Sequence, residues 1–131
     1  MGEVKIQNYR YPSDSSLTRK GIVHFFHGAG EYAGRYGFLA QRIASHGFDV
    51  VSYDQRGFGY SEGRRGVQER HEIIVSDALA HTNMVKERFG ELGLPHFSIS
   101  HSFGGYITLS VLHQASDTFQ GSAFVAPFTG V

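Results

Sequence analysis

Short apolar runs alternate along this chain with stretches of helical period, and that alternation restricts it to an α/β architecture. Val4 to Tyr9 alternates apolar and polar residues as a half-exposed strand does. Pro12 to Arg19 is a polar turn, and Ile22 to Phe26 is a short apolar run that reads as a buried strand. Tyr36, Leu39, Ala40 and Ile43 follow at helical spacing, with Gly47 as the stop. Phe48 to Tyr53 is a Val-rich strand, and Gly57 to Gly66 a long glycine-rich, charged loop. Ile74, Ala78, Val85 and Phe89 mark one face of a helix ended by Gly90 and Gly93. Pro95 precedes a strand over Phe97 to Ser100, and Phe103 to Gln114 is helical with Ile107 and Val111 on one face. Ser122 to Ala126 is a last strand, ending at Pro127. The expectation is a three-layer α/β sandwich with a mostly parallel sheet and right-handed crossovers, a single unit over residues 1–131.

Composition excludes several chemistries. The formal net charge of +0 and pI near 7.1 give no reason to expect nucleic acid or an anionic membrane as partner. With no cysteine, disulfides, thiolate catalysis and Cys-based metal sites are out, and a cytoplasmic location is expected. The start, Met1-Gly2-Glu3-Val4-Lys5-Ile6, has no apolar signal core, and Ile6 stands where a myristoylation signal wants Ser or Thr. No apolar run approaches the ~20 residues of a membrane span. The 17 glycines cluster after the apolar runs, where the loops of a site would lie.

Ser102 is the residue with the strongest chemical signal. It stands in Ile99-Ser100-His101-Ser102-Phe103-Gly104-Gly105, after one apolar run and before a helical pattern. A serine on such a strand-to-helix turn exposes its hydroxyl at the top of a parallel sheet. A serine hydroxyl also needs a base and oxyanion donors before it can act as a nucleophile. The small residues Ser100 and Gly104 let the turn bend, and the N–H of Phe103 at the helix start would face the oxyanion. Ser100 occupies the first glycine slot of the G-x-S-x-G pattern, which narrows the tolerance for close packing.

His27-Gly28-Ala29-Gly30 follows the Ile22–Phe26 run directly. A turn of this kind supplies the second oxyanion N–H in lipases and esterases, which makes Ala29 the candidate donor and His27 a structural residue. The same segment has a rival reading. Gly28 to Gly34 is a glycine-rich turn between strand and helix, and Asp54 ends the next strand, as in a dinucleotide site. The glycine spacing is imperfect, because Ala33 stands where G-x-G-x-x-G requires glycine. The dinucleotide reading also leaves Ser102 without a role.

With the segment Asp54-Gln55-Arg56-Gly57-Phe58-Gly59-Tyr60-Ser61-Glu62-Gly63 the resemblance becomes specific. From about Gly21 to Phe128 the chain resembles the N-terminal part of an α/β-hydrolase, in the monoacylglycerol lipase or serine aminopeptidase S33-like branch. The resemblance implies Ser102 as nucleophile and the Ala29 and Phe103 N–H groups as oxyanion donors. It also implies Asp54, Arg56 and Gly57 as a shaping loop and His101 as a family feature that is not the base. It implies hydrolysis of carboxylic esters, of monoacylglycerol or similar acyl lipids, through an acyl-enzyme. No cofactor or metal is implied. The expected partner is a small acyl-ester or lipid substrate, with peripheral membrane contact and oligomeric state left open.

In that fold the acid and the histidine of the triad follow the serine along the chain. Here only His113 and Asp117 lie between Ser102 and the last strand, one on the helix that Ser102 begins and one at its far end. Neither fits the triad. The chain is therefore expected to be the front part of a longer hydrolase, without its cap and C-terminal strands. The alternatives are a non-catalytic binding module of the same fold and a peptide or amide hydrolase of the same branch.

Overall fold

The computed structural model describes residues 3–129; Met1-Gly2 of the leader reading and the stop at Val131 lie outside the described residues. Its elements are β1 (Asn8–Tyr11), β2 (Gly21–Phe26), α1 (Gly37–Ala44), β3 (Phe48–Tyr53), α2 (His71–Phe89), β4 (His96–His101), α3 (Phe103–Gln114) and β5 (Gly121–Val125). The strands form one sheet in the order β1-β3-β2-β4-β5. All neighbours are parallel except β1, which runs antiparallel to β3.

Residue parity on the central strands sends side chains to two separate cores. On one face Phe26, Tyr53, Ile74, Ala78, Ile107 and Val111 pack together, which places α2 and α3 there. On the other, Val23, Phe25 and Val50 pack against Ala40 of α1. This is the three-layer α/β arrangement that the alternation predicts. The order also dictates where a ligand would sit. After β2 the chain crosses one face to reach β3, and after β4 it crosses the opposite face to reach β5. The loops leaving β2 and β4 therefore part at a topological switch point, where open α/β sheets hold their ligands at the carboxyl ends of the strands.

The last two strands differ by a residue at each end from the sequence reading, running over His96–His101 and Gly121–Val125, and the first strand and first helix begin later for physical reasons. The first strand is Asn8–Tyr11, not Val4–Tyr9. The residues before it pair with the glycine-rich loop instead of a strand: Glu62 N–H donates to the Lys5 carbonyl at 2.9 Å, and Asp54 N–H to that of Gln7 at 3.0 Å. The helix expected from Tyr36 begins at Gly37, after a 3-10 turn over Ala33–Tyr36.

Strand β4 inverts the usual pattern. Its polar residues His96, Ser98 and Ser100 are the buried ones, on the face of α2 and α3. Phe97 and Ile99 face the other way. With Val23, Ile43, Phe48 and Ala123 they line an open apolar hollow of about 450 Å³. Two of these buried polar residues find partners on neighbouring strands, Ser98 in register on β5 and His96 diagonally on β2. Ser98 Oγ donates to Ser122 Oγ at 2.6 Å, and His24 Nε2 lies 2.9 Å from His96 Nδ1. That contact needs one donor and one acceptor, so the two rings cannot both be cationic. Burial, then the neighbouring His96, His81 and Lys86, pushes His24 well below its usual value of 6.5. Burial and Lys86 lower His96, and burial lowers His81 to about 4 against the opposing hydrogen bond with the backbone of Ser52.

These histidines make the fold acid-sensitive. The unfolded chain takes up protons as pH falls below 6.5, whereas the folded chain keeps His24, His81 and His96 neutral, so stability is complete above that pH and lost below it. Urea unfolding should show stability falling by about 2 kcal/mol from pH ~6.5 to ~5 for His81 alone, with His24 and His96 adding to the loss. An unchanged midpoint over that range would contradict the buried neutral cluster.

Candidate active site

Ser102 is the only residue between β4 and α3, and its backbone is held at φ 52° and ψ −116°. A left-handed φ is strained for a residue with a Cβ, by about 1–3 kcal/mol. Three hydrogen bonds impose it. Ser102 N–H donates to the Val125 carbonyl at 3.0 Å, and the Ser102 carbonyl accepts from Gly105 N–H and Phe128 N–H, each at 2.9 Å. The serine is thus clamped by the end of β5 on one side and the first turn of α3 on the other.

Glycine at position 104 lets that turn approach the sheet. A Cβ there would overlap the Phe26 carbonyl and stand 2.8 Å from the His27 oxygen. Ser100, in the slot where the pattern has glycine, is fully buried, and its hydroxyl has no partner among the described residues.

The turn leaving β2 comes against this elbow. Glu31 N–H donates to the Gly28 carbonyl at 3.2 Å, closing a turn whose exposed tip is Ala29 and Gly30. His27 is buried at its base. Its Nε2 accepts from Gln55 N–H at 3.0 Å, so the ring proton is on Nδ1, which donates to the Gly28 carbonyl at 2.8 Å. Burial lowers its pKa. His27 therefore holds the loop, as expected.

Asp54 is equally structural. It is fully buried and accepts from Ala33 N–H at 2.7 Å, the Tyr9 hydroxyl at 2.7 Å and Tyr60 N–H at 2.9 Å. A fully buried carboxylate turned to three donors of the protein itself is not presented to a ribose, which removes the main support of the dinucleotide reading. Arg56 forms a two-pronged pair with Asp77 at 3.0 and 2.9 Å and shapes the same loop. His113 and Asp117 are exposed, at the end of α3 away from Ser102 and beyond it. Among the described residues no side chain hydrogen-bonds Ser102 Oγ, and no helix is long and apolar enough to cross a membrane.

The structure adds a cluster to which the sequence reading gave no role. Glu31 Oε1 accepts from Gly28 N–H at 2.6 Å and lies 3.0 Å from His101 Nδ1. The Tyr36 hydroxyl is 2.8 and 2.7 Å from the two Glu31 oxygens, and Arg35 Nη1 is 2.9 Å from Oε2. Burial pushes Glu31 up, but the hydrogen bonds from Tyr36, His101 and Gly28 outweigh it and hold its carboxyl below the usual range. Burial and Glu31 push Tyr36 up to about 12. The local spacing of Glu31 and Tyr36 was visible in the sequence; the meeting with His101, seventy residues on, needs the sheet.

The family described as "Serine aminopeptidase, S33" matches residues 18–131. The chain belongs to this S33 family. It is 36% identical over 112 residues to the monoglyceride lipase of Rattus norvegicus, covering 86% of this chain and 36% of that protein. The human monoglyceride lipase is 34% identical over 110 residues, with 84% and 36% covered. The chain thus spans little more than a third of the length of these curated S33-like relatives. Among solved structures, a soluble variant of monoglyceride lipase from Saccharomyces cerevisiae, in complex with a substrate analog, superposes with a TM-score of 0.87 at 25% identity. That match covers 97% of this chain and 42% of the yeast one. The monoacylglycerol lipase of Paleococcus ferrophilus gives a TM-score of 0.72 at 28% identity, covering 94% and 43%.

Strain at the serine of this S33 family member is open to measurement. Ser102→Gly should be more stable to chemical denaturation than Ser102→Ala by about 1 kcal/mol, because only glycine adopts the local conformation freely. Gly104→Ala should destabilise by about 1–3 kcal/mol through overpacking against the Phe26 and His27 carbonyls.

Proposed function

We propose that Ser102 is the nucleophile of a serine hydrolase that cleaves carboxylic esters, with monoacylglycerol or a similar acyl lipid as substrate. The observation that carries this reading is the left-handed serine between β4 and α3, set at the switch point beside the turn that follows β2. A serine hydroxyl needs no such backbone unless its direction matters.

In the proposed reaction Ser102 Oγ attacks the acyl carbonyl and its proton passes to a base. The Ala29 and Phe103 N–H groups receive the negative charge that develops on the carbonyl oxygen. Phe103 opens α3, so its N–H lies ahead of the first intrahelical bond and is free to donate outward. Collapse of the tetrahedral intermediate breaks the ester C–O bond, and the base returns the proton to the departing glycerol oxygen. Water then hydrolyses the acyl-serine by the same route in reverse. None of the described side chains bonds the serine hydroxyl, and the proposal assigns the base to none of them. The lipid rather than peptide substrate rests on the kinship with monoglyceride lipases.

The test uses the protein expressed from its full reading frame. A fluorophosphonate probe should label Ser102, and Ser102→Ala should abolish labelling and lower monooleoylglycerol hydrolysis by at least about 10³-fold. Persisting label or turnover in Ser102→Ala would overturn the nucleophile assignment. Cleavage of aminoacyl anilides in preference to the glyceride would favour a peptidase. A folded protein that binds the glyceride without labelling or turnover would make it a binding module.

A further inference from the structure

Oxyanion stabilisation depends on where its donors stand. They must lie about 2.7–3.1 Å from an oxygen that exists only during reaction, and a misplacement of about 1 Å can cost on the order of 100-fold. Here the two candidate donors come from different loops. Ala29 sits on the tip of an exposed turn containing a left-handed Gly30, and Phe103 follows the elbow serine. Nothing in the backbone bonds of the 28–31 turn ties its tip to the elbow. Its one internal bond, Glu31 N–H to the Gly28 carbonyl, closes the turn on itself.

One side chain does connect the two. We propose that the Glu31 carboxylate is a positioning group that holds the Ala29 turn and the Ser102 elbow at a fixed separation, an inference that rests on reading Ser102 as the nucleophile. From one arm it takes Gly28 N–H at 2.6 Å, the residue before Ala29. From the other it takes His101 Nδ1 at 3.0 Å, the residue before Ser102. A carboxylate offers about four acceptor sites. The Tyr36 hydroxyl and Arg35 fill the rest and fix the direction of the first two. Tyr36 in turn is held by its ring against Phe25 of β2, with centroids 4.4 Å apart, so the cluster is anchored to the sheet.

The same contacts answer an electrostatic objection. A bare negative charge beside a developing oxyanion would oppose it. Arg35 pairs directly with the carboxylate, and the Gly28, Tyr36 and His101 donors spread its charge, so the group can position without repelling. It also gives His101 a role other than that of a base: Nδ1, its hydrogen-bonding nitrogen here, lies 3.0 Å from both Glu31 Oε1 and the Tyr36 hydroxyl. Glutamine at position 31 would keep the shape but turn two acceptor sites into donors, facing the N–H groups that now bind there. Removing the charge alone should help the oxyanion, and removing the tether should hurt it, so the direction of the effect separates the two roles.

The experiment compares Glu31→Gln and Tyr36→Phe in the protein expressed from its full reading frame, with 4-nitrophenyl butyrate as substrate and an alkylboronic acid as the tetrahedral mimic. Glu31→Gln should lower kcat by about 10- to 100-fold with KM changed less than about twofold, and weaken boronate inhibition by a similar factor. Tyr36→Phe loses only a hydroxyl and should lower both by a smaller factor, about 3- to 10-fold; it carries the test if Glu31→Gln does not fold. Unchanged kcat in both variants, a raised kcat in Glu31→Gln, or a loss of kcat without a loss of boronate affinity would overturn the positioning role. Ser102→Ala separates the two levels. If it abolishes turnover while the Glu31 and Tyr36 variants keep theirs, only the positioning role falls; if it stays active, the nucleophile reading falls and the positioning role with it.

Discussion

The first turn of α3 lies against the carbonyls of Phe26 and His27 at a distance that only glycine at position 104 allows. The geometry around the serine depends on that contact. It brings a helix N-terminus to the carboxyl end of β2, where the turn bearing Ala29 begins. It leaves a single residue, Ser102, to join β4 to α3, and so forces the left-handed backbone there. The strain is sustained because the Val125 carbonyl and the N–H groups of Gly105 and Phe128 grip the serine backbone from both sides. The last strand therefore does more than extend the sheet: its end is part of the clamp.

A second theme is the burial of polar groups between the sheet and the α2–α3 layer. His24, His96, Ser98 and Ser100 would be poor core residues if taken one at a time. Across the strands they pair, His24 diagonally with His96 and Ser98 in register with Ser122, so that desolvation is offset by hydrogen bonds. The Ser100 hydroxyl and His24 Nδ1 are exceptions and stay unpartnered among the described residues. Asp49 follows the same logic at the other end of the sheet, where Arg10 and Ser13 N–H hold its buried carboxylate at 2.9 Å. The interior is specified as much by these pairings as by its aliphatic residues.

The elements with strong periodicity were legible in the sequence. Strand Phe48–Tyr53 and helix Phe103–Gln114 have the bounds that their patterns predict. The elbow was legible too, because a serine between small residues at a strand–helix junction leaves few other geometries. The opening strand was displaced, since residues 5 and 7 bond to a loop some fifty residues later and local alternation cannot report that. The burial of Ser98 and His96 was likewise hidden: a polar residue in a strand reads as solvent-facing unless its partner is known. Of the residues proposed for the site, Ala29, Ser102 and Phe103 stand in motifs that the sequence displays, whereas Glu31 could not be given a role. Its meaning lies in a contact with His101 that exists only after β2 and β4 pair.

The way α3 is mounted has a mechanical consequence. A helix of 12 residues is about 18 Å long, and this one is pinned at its first turn, by Gly104 against the sheet and by the grip on Ser102. Its distant end packs through Val111 and Leu112 into the side-chain core. A rod fixed at one end pivots there, so small shifts in packing at the distant end swing that end while the pinned one hardly moves. Ser102 stands at the pinned end, where a given tilt of α3 displaces it least.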